Sequence, residues 1–125
     1  SSAFNALSDE GEGTSNQYFS YRGAQDQAQT TNYQMISMAV GDGTNQAVSG
    51  VLKLYDPAAA FPTQFISRTS SAWQSGSDLY CEDMRVSGYI NSTTAVTSVT
   101  FKFVNSSASI TGTIDAGTIK VFGVS

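Results

Sequence analysis

No histidine occurs anywhere in the 125 residues. The commonest general base is therefore missing, and with it the Ser-His and Cys-His nucleophile systems and the usual metal ligand. Cysteine is nearly as scarce. Cys81 stands alone, which excludes an internal disulfide framework and a cysteine-based metal site, and reads as a small buried apolar residue. Charged residues make up 13% of the chain, about half the ~25% of ordinary soluble domains. The six cations, Arg22, Lys53, Arg68, Arg85, Lys102 and Lys120, are scattered singly through a chain of net charge −4 and pI near 4.4. Nucleic acid needs several Lys or Arg together to neutralise phosphates, so it is excluded as a partner. No stretch approaches the ~20 apolar residues of a membrane helix, and the longest run without a charge, 86–101, is full of Ser and Thr. No basic-then-apolar leader pattern stands at the beginning.

What fills the gap is Ser, Thr, Gly, Asn and Gln, set among Val, Ile, Tyr and Phe. Those apolar types suit a pleated, half-buried surface, and helix formers are few, so the chain reads as all-β. Its length is that of one domain with room for one proper core. Residues 1–16, SSAFNALSDEGEGTSN, differ from the rest. Phe4 and Leu7 stand three apart, followed by an acidic run broken by glycines, which reads as an N-terminal arm. Such an arm is either a solvated tail or a segment whose Phe4 and Leu7 dock on a neighbouring subunit.

From residue 17 to 125 the pattern is strand, turn, strand. QYFSYRG and NYQMISMAV are apolar enough for strands, the second on both faces. GVLKLYDP alternates Val51 and Lys53 against Leu52 and Leu54 and ends at Pro57. TQFISRTS begins just after Pro62. DLYCEDMRVSGYI sets Leu79, Cys81 and Asp83 opposite Tyr80, Glu82 and Met84, with a bulge expected near Glu82-Asp83 or Gly88. SVTFKFV is the cleanest period-two stretch, with Val99, Phe101 and Phe103 inward. SITGTI and TIKVFGV follow, joined by a tight turn at DAG. About eight short strands at regular spacing predict an eight-stranded antiparallel jelly-roll-like β-sandwich, with the closing TIKVFGVS held inside it.

Chemistry is hard to find. Glu82 and Asp83 are adjacent, so on a strand they point to opposite faces and cannot form a glycosidase pair directly. GDGTN reads as a turn, lacking the ligand spacing of a calcium loop. DEGEG reads as solvated, and the acceptor-like triplets at Asn91 and Asn105 read as turns. No cofactor and no metal are expected. Trp73, in the polar stretch SSAWQSG, reads as a loop residue that either plugs one end of the sandwich or meets an interface or sugar.

The succession SGVLKLYDP, VSGYI, SVTFKFVNSSASITG and AGTIKVFGVS resembles the C-terminal β-sandwich of small virion proteins of tailed phages. There an sGyi strand precedes a Ser/Thr-rich one, and the chain closes on a G-T-I-x-L-Y-G-I pattern, matched here by Gly117, Thr118, Ile119, Lys120, Val121, Phe122, Gly123 and Val124. The resemblance covers roughly residues 49–125. It implies a jelly roll on the capsid surface of a virion: a cement or decoration protein, acting as a homotrimer on the major capsid protein. A receptor- or glycan-binding tip of a tail fibre is the alternative, and an enzyme is disfavoured. Phe4 and Leu7 would then be the arm anchors. Trp73 and Tyr80 would face the capsid or a trimer neighbour, with Tyr89 joining them in a glycan-binding tip.

Overall fold

The computed structural model describes residues 2–9, 18–28, 30–38, 40, 43, 44, 46–104, 114 and 116–124. They are nearly all β, with a three-residue 3-10 turn at Gly23–Gln25 as the only helical piece among them. Strands β1 (Ser2–Asp9), β2 (Tyr18–Tyr21), β3 (Ala47–Tyr55), β4 (Thr63–Ser75) and β5 (Asp78–Ile90) form one sheet in the order β2-β1-β5-β4-β3. Every neighbouring pair is antiparallel. The three longest strands, β3 to β5, make its body.

Local chemistry sets the strand limits. Asp56, in the left-handed region at φ 52, and Pro57 end β3, and Pro62 immediately precedes β4. The β4–β5 hairpin closes on the two residues Gly76 and Ser77, between the paired Ser75 and Asp78. Gly76 takes φ 64, the backbone a tight hairpin asks of its first turn residue. From that turn the register runs unbroken to Thr63↔Ile90, so the bulge expected in β5 is absent. Trp73, expected in a loop, lies within β4, because its Ser-rich surroundings pair residue by residue with β5.

Period two then sorts the side chains. Thr63, Phe65, Ser67, Thr69 and Ser71 of β4 are buried while Gln64, Ile66, Arg68 and Ser70 are exposed. Glu82, Met84 and Val86 of β5 share the buried face. The core is Phe65, Met84 and Val86, against which Leu52, Leu54, Met35 and Met38 pack. Leu52 and Leu54 thus turn inward and Val51 and Lys53 outward, as the alternation of β3 predicts. At Gly50, opposite Thr69, an added Cβ would stand 2.8 Å from the Thr69 Cα, so glycine is what lets β3 and β4 come this close.

Other expected strands take different courses. Residues 30–38 are irregular and lie over the buried face, where the Thr69 hydroxyl donates to the Ile36 carbonyl. Gln34 Nε2 donates to the Gln25 and Met35 carbonyls at 3.2 and 2.9 Å, taking up backbone acceptors that a strand would offer to a ladder. Residues 96–104 and 117–124 are not in strands beyond a single bridge at Phe103. Val99 is 48%, Val121 92% and Val124 97% exposed, so within one chain the closing segment is not held in a sandwich. Ser2–Asp9, assigned by sequence to an arm, is a strand between β2 and β5. SITGTI (save Ile114), the first turn residues of GDGTN, most of DEGEG and the Asn105 triplet lie outside the described residues.

Candidate partner-binding surface

The sheet presents two unlike faces. On the covered face, at the hairpin end, β4 and β5 bring Trp73 directly opposite Tyr80. The rings stack with centroids 4.5 Å apart and planes 15° from parallel, and both residues are half-buried. Trp73 Nε1 is buried with no hydrogen-bond partner among the described residues. Two pairs further along, Ser71 opposes Glu82, whose side chain is 2% exposed. Arg22 Nη2 stands 3.8 Å from Glu82 Oε1. Burial pushes the Glu82 carboxyl above its ordinary pKa, and the nearby guanidinium pulls the other way.

On the open face Asp83 accepts from Arg68 Nε and Nη2 at 3.0 and 2.8 Å, and from Arg85 Nη2 at 3.2 Å. The Arg68 fork holds the Asp83 carboxyl below its ordinary range, helped by Arg85. Arg68 and Arg85 are direct cross-strand neighbours, so Asp83 separates two like charges that would otherwise repel. Towards the far end of the same face, Tyr55, Ile66 and Tyr89 are 46%, 42% and 60% exposed around an open groove of about 360 Å³. Pro62, Gln64, Phe65, Ser87 and Gly88 complete its lining.

Glu82 and Asp83 therefore turn to opposite faces, as their adjacency requires, and each is matched with arginine. No group of three or more His, Cys, Asp or Glu is placed to hold a metal among the described residues. No helix of the described residues is long and apolar enough to cross a membrane. What the surface offers is area. Among the described residues, half of the large exposed hydrophobic ones, from Val99 to Val124, lie after β5.

Of the residues singled out by sequence, Trp73 and Tyr80 are brought together. Tyr89 is not with them: it sits nine residues from Tyr80 along β5, roughly 30 Å away at strand rise, and on the other face. Phe4 and Leu7 are placed by backbone pairing, Phe4 opposite Arg85 and Leu7 opposite Glu82, and their spacing of three gives them opposite parity in β1. The exposed Tyr55 and Ile66 were missed. Their signal was the outward parity of Val51 and Lys53, extended two residues to Tyr55 and across to β4.

The described residues define an antiparallel, all-β sheet protein with an uncovered face. Compared with models of protein families, with curated proteins and with solved structures, the chain matches none.

Proposed function

We propose that the chain is a structural virion protein, a capsid cement or decoration protein that binds the assembled phage shell and stabilises it. The observation that carries this reading is the apolar surface left open on a single chain, with Val121, Phe122 and Val124 at 92%, 79% and 97% exposure. Large apolar side chains left in water this close together in the chain support association with other proteins. In this reading the partners are the major capsid protein and two further copies of the chain, and the eight-stranded jelly roll is completed in the assembly. A protein that binds only the assembled shell stabilises it by mass action, without chemistry of its own. The resemblance of residues 49–125 to small phage virion proteins points the same way.

The test is addition of the purified chain to shells that lack it, with bound copies counted and shell melting followed. Saturation at hundreds of copies with a raised melting temperature is expected. No binding to shells, or a handful of copies on intact particles, would overturn the reading. The groove of Tyr55, Gln64 and Tyr89 favours a second one, a glycan-binding tip, since exposed aromatic faces beside polar side chains suit sugar rings. Loss of glycan-array binding in Tyr89→Ala would support that reading.

A further inference from the structure

Antiparallel pairing sets the open face of β3 to β5 in rows. Tyr55 pairs with Gln64 and Gln64 with Tyr89, so two tyrosines flank an amide across three strands. Two strand spacings separate them, roughly 9.5 Å. The next row on this face is Lys53, Ile66 and Ser87, and the one after it is Val51, Arg68 and Arg85. The groove at the tyrosines is lined by no charged side chain. Charge begins at its border. Lys53 stands exposed beside Tyr55, roughly 6.8 Å along the strand. It has no ion-pair partner among the described residues. With Arg68 and Arg85, also exposed, it puts three of the chain's six cations on this face, against the single carboxylate of Asp83.

We infer that this end of the open face binds an acidic glycan, a sugar chain bearing carboxylate or sulfate groups. Tyr55 and Tyr89 offer amphipathic rings to the apolar faces of pyranoses, at a separation on the scale of a disaccharide. Gln64 between them supplies both donors and acceptors for sugar hydroxyls, and the Ser87 hydroxyl does the same. Lys53 meets the acid group of the sugar on Tyr55, and the two arginines extend the attraction along the face. Charge selects this occupant over the chain itself. The same face of a second copy would set Lys53, Arg68 and Arg85 against their own kind, and residues 117–124 bring only another cation, Lys120. The acidic run that starts at Asp9 leaves β1 opposite Tyr80, roughly 30 Å from Tyr89 at strand rise. Asp56 lies in the turn out of β3 and does not line the groove. An acidic protein surface would match the cations but makes no use of two tyrosines set an amide apart. The inference rests on the glycan reading of this groove, adds the charge class of its ligand, and does not depend on the shell.

The test is binding of the native chain to an array of uronate, sialyl and sulfated glycans, each beside its neutral counterpart, at low and high salt. Binding confined to the acidic members and falling with salt is expected. Tyr89→Ala should abolish it, and Lys53→Gln should weaken it about tenfold, the loss of one charge-assisted bond. Both side chains are exposed, so unchanged melting temperatures will separate lost contacts from lost folding. Equal binding of the neutral counterparts, or full binding by Lys53→Gln, would overturn the acidic class and leave the glycan reading standing. No binding to any glycan would overturn both. Polyglutamate held as tightly as the acidic glycans, by the native chain and Tyr89→Ala alike, would overturn the inference in favour of an acidic protein surface.

Discussion

Glu82 is the residue whose chemistry is least expected. A carboxyl at 2% exposure faces the inside of a sheet whose neighbouring positions are hydroxyl and apolar, with a guanidinium at 3.8 Å. Its raised pKa means the folded chain holds the proton more tightly than the unfolded chain does. That contribution to stability is complete below the unfolded glutamate value of about 4.3 and is lost as pH rises from there through the folded value. Glu82→Gln removes the titration. Its melting temperature relative to the native chain should therefore climb by a few degrees across that window, read from paired melts at a series of pH values. A difference independent of pH would show that burial does not govern this carboxyl. Asp83, one residue on, has the opposite sign: its arginines stabilise the fold at neutral pH, and their help fades as acid protonates it.

The β4–β5 hairpin is the element that organises the rest, with its two-residue turn and thirteen-residue strands. Its Trp73–Tyr80 stack closes the turn end. Aromatic pairs of this kind contribute about 0.5–1.5 kcal/mol beyond their buried area, so a double-mutant cycle with Trp73→Ala and Tyr80→Ala should return a favourable coupling in that range by urea unfolding. Additive single effects would mean that the rings merely sit side by side. Much of this element was legible. Pro57 and Pro62 bracket the gap between β3 and β4, and Leu52 and Leu54 announce the core face. Trp73 was misplaced because serines on both sides resemble a loop, although a serine facing a paired strand is as good a strand residue as its partner allows. In the stretch NYQMISMAV the two-sided apolar pattern pointed to a buried strand. Met35 and Met38 instead reach the core from irregular chain, as unbranched side chains can. Residues 96–104 and 117–124 show that alternation reports a need for a partner and not where that partner is.

At the scale of the whole molecule, one sheet carries a small core on one side and a charged and aromatic face on the other. The candidate surface was legible only as residue types, because Trp73, Tyr80 and Tyr89 carry no mark in sequence of which face or end they occupy. Neither did the composition of residues 1–16 reveal a strand, since β1 gains its order from β2 and β5 and not from its own apolar content. Deleting residues 1–9 should therefore lower the melting temperature and uncover the edge of β5, with aggregation visible by light scattering. A solvated tail would be removed without effect on either.

That placement of β1 also governs the order in which the fold is assembled. Ser2 pairs with Ser87, so β1, made before the other strands of this sheet, waits for the last of them before it finds its principal neighbour. The β4–β5 hairpin can close through local contacts at once, with β3 following, while β1 bridges nearly the whole sheet-forming length of chain. Contacts so distant in sequence carry the largest loop-closure cost and form late. Until they form, β5 is an open edge in every newly made molecule.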